Sequence, residues 1–175
     1  MPQTSKATNF EDAILPHLDA AYNLARWLTR DPSDADDVVQ EAYLRAFRFF
    51  DGFHGSDARA WLLKIVRNTC YSWLQKNRGQ AIMTEFDEKQ HSIESRDPEA
   101  AMIGTIDGRV VRHLLEDLPL EFREVVILRE LEGMSYKEIA DIASIPVGTV
   151  MSRLARARSR LQQLLSGPRT SGVNA

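Results

Sequence analysis

Thr149, Ser152, Arg153 and Arg156 fall on one face of a helical stretch near the C-terminus. Hydroxyls and guanidinium groups at this spacing hydrogen-bond phosphate oxygens and base edges. The inward face is a different set: Val150, Leu154, Ala157 and Leu161 recur at i, i+4, i+7 and i+11. Gly148 keeps the start of this helix slim, where a backbone has to approach DNA, and a helix N-terminus favours phosphate. Just upstream, Ser135 and Glu138 form a capping box and Met134 with Ile139 a hydrophobic staple, which predicts a short helix over about 136–143. Ser144, Ile145 and Pro146 then make a tight turn into the last helix, about Val147 to Leu165. Two helices across a tight turn form a helix-turn-helix, which places its second helix in the major groove. A merely solvated arginine face is the alternative. The capped first helix, the turn and the absence of any acidic residue after Asp141 favour DNA, with Arg158, Arg160 and Arg169 adding to the basic tail.

Two further constellations lie in the N-terminal half. Lys64, Arg67, Asn68, Tyr71, Gln75 and Arg78 form one stripe at spacings of three and four. Cations and amides interleaved with a tyrosine suit a nucleic-acid backbone with unstacked bases, although amphipathic helices often carry solvated basic faces. Asp36, Asp37, Gln40 and Glu41 form an acidic patch near the start of another helix. Capping and solubility explain such a patch, since the helix dipole tolerates negative charge there; docking to a basic protein partner is the functional alternative.

The elements carrying these groups are all helical in period, so the fold class is all-α. A first helix is predicted from Asn9, as N-cap, with Ile14, Leu15, Leu18, Tyr22, Ala25 and Leu28 as its apolar stripe. Asp31 and Pro32 end it and open a second helix, about Ser33 to Phe50, burying Val38, Val39, Ala42, Tyr43, Ala46 and Phe50. A loop at Gly52 to Ser56 holds Phe53 and His54. The third helix, about Asp57 to Asn77, carries Trp61, Leu62, Ile65, Thr69 and Trp73 on one face. The pattern then fails, and Arg78 to Arg96 is polar and acidic, as a flexible linker is. Helical spacing restarts at Asp97 and Pro98 through Met102, Ile103, Ile106, Val110 and Leu114; Leu118 and Pro119 break it, and another helix runs to Gly133, a C′ glycine. The expected organisation is two small helical domains joined by a flexible acidic linker: 1–78, linker 79–97, helix-turn-helix domain 98–168 and tail 169–175.

Composition narrows the function. The net charge is −3 over 175 residues, but acids dominate 80–107 while bases dominate the C-terminal tail, and that asymmetry says more than the total. No apolar run approaches the roughly 18 residues of a membrane span, and the polar start lacks a signal-peptide core, so a cytoplasmic location without membrane insertion is expected. The single cysteine, Cys70, cannot form an internal disulfide and reads as a small core residue rather than a redox sensor. No glycine-rich phosphate loop or nucleophile motif appears. His113 and Glu116 lack the paired Glu-x-x-His helices of a di-metal site. Neither catalytic residues nor a metal or cofactor are expected.

Two sets of runs resemble a known family. Asp34-Ala-Asp-Asp-Val-Val-Gln-Glu-Ala-Tyr-Leu-Arg-Ala-Phe47 with Arg59-Ala-Trp-Leu-Leu-Lys-Ile-Val-Arg-Asn68 is similar to region 2 of extracytoplasmic-function (ECF) sigma factors. Leu118-Pro119 to Arg129, Tyr136-Lys-Glu-Ile-Ala140, Ile145-Pro-Val-Gly-Thr-Val150 and Ser152-Arg-Leu-Ala-Arg156 are similar to their region 4. The resemblance implies a sigma subunit, not an enzyme, that binds core RNA polymerase and directs initiation at promoters. It implies docking on the β′ clamp helices through Asp36, Asp37, Gln40 and Glu41, with Arg45 nearby. It implies capture of the melted −10 element by Phe53, His54, Gly55 and Ser56 of the loop and by Lys64, Arg67, Asn68 and Tyr71. Thr149, Ser152, Arg153 and Arg156 would read the −35 duplex, and region 4 would also meet the β flap. Met151 departs from the pattern, standing where many relatives carry lysine or arginine. An anti-sigma partner is implied as well. A stand-alone helix-turn-helix regulator is the competing reading; it explains the C-terminal half alone and predicts duplex binding without polymerase.

Overall fold

The computed structural model describes residues 2–77 and 106–166. The proposed linker, the helix restart at Asp97 to Met102 and Ile103, Arg78, Arg169 and the tail lie outside these residues. In the N-terminal half, α1 (Pro2–Ile14) passes through a 3-10 turn (Leu15–His17) into α2 (Leu18–Thr29). Next come α3 (Pro32–Phe49), a second 3-10 turn (Phe50–Gly52) and α4 (Ala58–Lys76). The C-terminal half holds α5 (Ile106–Asp117), α6 (Leu120–Val126) running on into a π turn (Ile127–Leu131), α7 (Tyr136–Ala143) and α8 (Val147–Ser166). No strand forms among the described residues, so the all-α class holds.

The start of the chain differs from expectation. Asn9 lies inside α1 and caps nothing, and one predicted helix is two. Pro16 is the cause: it has no N–H for the helical ladder and its ring crowds the preceding turn, so the chain tightens to 3-10 there. The change of direction leaves Leu15 50% exposed and brings Phe10 into the core instead. Phe10 meets the rings of Tyr43, Phe47 and Phe50 edge-on at 5.0, 5.2 and 5.3 Å, the arrangement aromatic quadrupoles favour.

Other boundaries follow their caps. The Asp31 carboxylate accepts from the Asp34 N–H at 2.9 Å with Pro32 in the first turn of α3, and Asp57 accepts from the Ala60 N–H at 3.0 Å to open α4. The Ser135–Glu138 capping box is complete, with both bonds at 3.1 Å. Gly133, at φ +65°, follows the π turn in the left-handed region that glycine adopts without strain. Ser144 ends α7 in the same region at φ 56°, and the Ile145 N–H returns to the Ala140 carbonyl at 3.0 Å, fixing the tight turn between α7 and α8.

The buried apolar residues form one connected cluster with a centre in each half. Leu24 and Leu28 of α2, Ala35, Val38, Ala42 and Ala46 of α3, and Leu62, Leu63, Val66 and Cys70 of α4 fill the first. The alanines let α3 lie close against its neighbours. The α4 stripe is broader than the periodicity indicates. Leu63, Val66 and Cys70 are core, while Trp61, Ile65 and Trp73 are only half-buried. The reason is that α4 is covered twice, by α2 and α3 on one side and by α7 on the other. Val125, Ile127 and Leu128 meet Ile139, Ile142, Val150, Leu154 and Ala157 in the second centre. The halves also touch directly, α2 on α6 and α4 on α7.

Candidate nucleic-acid interface

The helix-turn-helix presents its two faces as its sequence predicts. Val150, Leu154 and Ala157 are fully buried on the inner side of α8, and Leu161 is half-buried. Ser152 and Arg156 are exposed, and Thr149 and Arg153 are half-exposed. The Ser152 hydroxyl donates to the Thr149 carbonyl at 3.1 Å, a bond within the helix that leaves its oxygen open to an incoming donor. Among the described residues Arg153 and Arg156 make no ion pair, so both guanidinium groups are available to an anion. Arg158 differs: it is held by Glu130 at 2.8 Å, and that hydrogen bond keeps its guanidinium above the ordinary value. Met151, 53% exposed, adds an apolar spot to the outer surface of α8.

The acidic patch is a true surface. Asp36, Asp37, Gln40 and Glu41 of α3 are all exposed. Arg45 is tied down beside them, donating to Glu41 at 2.7 Å and to the Thr69 hydroxyl at 3.5 Å. Leu44, on the same helix, is 64% exposed. Together with Leu18, Val39, Gln40 and Tyr43 it lines a shallow depression of about 370 Å³. Sequence reasoning assigned the charges but not this exposed leucine.

The loop before α4 is built on aromatic rings. Phe53 stacks on Phe50 at 6.1 Å and leans on Trp61 at 4.9 Å. A side chain at Gly55 would meet the Phe53 ring, 3.1 Å from its Cε2. His54 and Ser56 are exposed. They line a cleft of about 630 Å³ whose other wall is Lys137, Glu138 and Asp141 of α7.

The stripe on α4 does not lie open. Asn68 and Gln75 are exposed, but the two described cations of the stripe, Lys64 and Arg67, are engaged by the C-terminal half. The Lys64 ammonium is 3.4 Å from an Asp141 carboxylate oxygen. Arg67 Nε donates to Glu124 Oε1 at 2.5 Å, and the Tyr71 hydroxyl donates to Glu124 Oε2 at 2.7 Å. The Arg67 guanidinium also lies over the Tyr71 ring, 3.7 Å from its centroid. Arg59 bonds the Glu132 carbonyl and lies 3.6 Å from its carboxylate. Running the other way, Arg123 is buried and donates to the Leu28 carbonyl at 3.3 Å and to its own half at the Glu116 and Leu118 carbonyls, both at 2.9 Å. Burial pulls its pKa down to about 10, and its Nε has no partner among the described residues.

Two family models match the chain: sigma-70 region 2 over residues 13–80 and sigma-70 region 4 over residues 108–161. The ECF RNA polymerase sigma-E factor of Haemophilus influenzae is 35% identical over 148 residues, 79% of this chain and 77% of that protein. The sigma-E factor of Escherichia coli K12 is 40% identical over 137 residues, 73% of this chain and 72% of that protein. This chain is an ECF sigma factor. It is therefore a subunit of transcription initiation and not an enzyme, and the stand-alone regulator falls away because region 2 accounts for the N-terminal half. The fold agrees with solved members. The sigma factor RpoE in complex with the anti-sigma factor NepR from Bartonella quintana superposes with a TM-score of 0.71 at 34% identity, covering 90% of this chain and 97% of that one. CnrH in complex with the cytosolic domain of CnrY gives 0.63 at 26% identity, covering 90% and 88%.

Glu124 is the residue of this sigma factor that sequence reasoning missed. Its only signal is an acid at the head of the apolar run Val125 to Leu128. Its charge bears on each of its neighbours. Burial opposes charge on Arg67, but the bond and the charge of Glu124 outweigh it and hold the guanidinium above its ordinary value. Burial and then the Glu124 charge push the Tyr71 hydroxyl up, so it stays a donor. Removing one partner of such a buried pair leaves the other uncompensated, typically at a cost of about 3–5 kcal/mol.

The same two causes, burial first, push the Cys70 thiol up to about 12. Only the thiolate is nucleophilic, and a thiol titrating that high is protonated at neutral pH. Folded protein at pH 8 is therefore expected to resist an alkylating reagent that modifies Cys70 rapidly in denaturant. Alkylation of the folded chain at the rate of a free thiol would contradict this placement.

Proposed function

We propose that this sigma factor divides initiation among three surfaces. The acidic patch of Asp36, Asp37, Gln40 and Glu41, with Arg45 beside it and Leu44 in its midst, docks on the β′ clamp helices of core polymerase. The loop residues Phe53, His54 and Ser56 and the α4 residues Lys64, Arg67, Asn68 and Tyr71 capture the melted −10 strand. A base has to leave the stack to be read, and a ring-lined loop beside a basic helix can hold it. Thr149, Ser152, Arg153 and Arg156 read the −35 duplex in the major groove. The exposed Val110, Val111 and Leu131 of region 4 suit the β flap. The observation that carries this division is the separation of charge by helix: an acidic cluster on the outer face of α3, open arginines on that of α8.

Residues 1–78 and 98–168 act as the two reading domains, and 79–97 tethers them. Each domain alone holds DNA weakly, and a tether on polymerase makes recognition bivalent. Relatives of this fold are solved with anti-sigma factors, which supports an anti-sigma partner here. No helix among the described residues is long and apolar enough to cross a membrane, in keeping with work in the cytoplasm.

The −10 assignment has a direct test. Lys64→Ala combined with Asn68→Ala leaves the cores and Glu124 untouched. With polymerase, this variant is expected to form open complexes about tenfold less well, the scale of one or two missing backbone and base interactions, while binding core as wild type does. Permanganate footprinting of the melted region reads the effect. Unchanged melting would contradict the assignment of α4.

A further inference from the structure

We propose that Glu124 is an intramolecular latch that holds region 4 closed over the strand-capturing face of region 2 in the free sigma factor. Glu124 is 0% exposed, so its charge has to be matched by protein. Both partners that match it, Arg67 and Tyr71, belong to α4 in the other half. Among the described residues its carboxylate has no hydrogen-bond partner in its own half. Closure is therefore the state in which this carboxylate is satisfied by protein, and opening hands it to water together with Arg67.

Among the described residues the ion pairs between the halves share one polarity, although Arg123 donates the other way to a backbone carbonyl. Asp141 on Lys64 and Glu132 on Arg59 also set acids of region 4 on bases of region 2. That is the charge pattern a nucleic-acid backbone would bring to α4. Glu124 occupies Arg67 as a phosphate would, and the tyrosine ring is covered by the guanidinium, which would have to leave before a base could stack there. Strand binding and closure thus exclude each other. A ligand that binds only the open form has its affinity reduced by the open fraction. The consequence for DNA rests on the reading of α4 given above; the latch itself does not.

Spin labels at Arg48→Cys on α3 and Ser159→Cys on α8, both exposed, would measure the separation of the halves in the free chain, since buried Cys70 is left unlabelled. Wild type is expected to give one narrow distance. Glu124→Lys, which sets like charge against Arg67, is expected to give a longer and broader distribution. Glu124→Gln, which keeps the size and the accepting oxygen and loses only the charge, should open partially and carries the test if the lysine variant does not fold. A fluorescent oligothymidylate of about twelve nucleotides, within the span that single-strand-binding grooves cover, should then bind the free open variant about tenfold more tightly than wild type. A broad wild-type distribution, or variants as narrow as wild type, would overturn the latch. Opening without any gain in oligonucleotide binding would uphold the latch and overturn the strand-capture reading of α4.

Discussion

Replacing both Arg153 and Arg156 by alanine is expected to lower transcription from a promoter that depends on its −35 element by about 100-fold. Each arginine on a major-groove face is worth about 1–3 kcal/mol of binding, and about 1.4 kcal/mol is a factor of ten. Two arginines near the lower half of that range give about 3 kcal/mol. The loss belongs to recognition and not to folding, because Val150, Leu154 and Ala157 carry the packing of α8 and neither arginine side chain is bonded among the described residues. Single variants should each cost about tenfold, roughly additively for independent sites. Pull-down of core polymerase should be unchanged. Run-off transcription on a promoter with an intact and a scrambled −35 element separates the cases. Wild-type transcription from the double variant would remove α8 as the reading helix.

Asp37→Lys with Glu41→Lys is expected to weaken assembly with core polymerase by at least about tenfold, and more at low salt. Charge reversal at an interface places like charges against the partner, and such juxtapositions cost several kcal/mol where they are not screened. Both side chains are exposed, so the fold should keep its stability. Within the protein the change removes the Glu41–Arg45 pair, an i,i+4 surface bridge of the kind worth about 0.3–0.5 kcal/mol. Leu44 sets a useful contrast. Its substitution by alanine should weaken assembly independently of salt, because its contribution is buried apolar area. Native gel or fluorescence titration against core polymerase at two salt concentrations reads both effects. Full assembly of the charge-reversed variant would move the docking face elsewhere.

The helix-turn-helix was legible because its signals are local. A capping box, a tight turn and an i, i+4, i+7 apolar face each lie within a few residues, and Ser135, Ser144 and Leu154 do in the structure what these patterns require. The starts of α3 and α4 were legible for the same reason, through Asp31 and Asp57. The first helix was misread where a local signal was passed over: Pro16 splits the apparent stripe and trades Leu15 for Phe10 in the core.

What lay outside the reach of pattern was the face between the halves. Periodicity says that Lys64, Arg67 and Tyr71 share a side of α4, but not what covers that side. The cover comes from Glu124 and Asp141, more than 50 positions away in sequence. A helix covered on two sides also has no single apolar stripe, which is why Leu63 and Val66 escaped the reading of α4, whereas Cys70, read as a small core residue, is buried as expected.

Transcription in vitro tests the central claim most directly. Purified protein is added to sigma-free core polymerase on genomic DNA of its own organism, and the RNA 5′ ends are sequenced. The account predicts discrete start sites preceded by one shared two-part motif, absent when Arg153 and Arg156 are both alanine. Transcription that stays at the level of core polymerase alone, from protein whose helical content is intact, would contradict it.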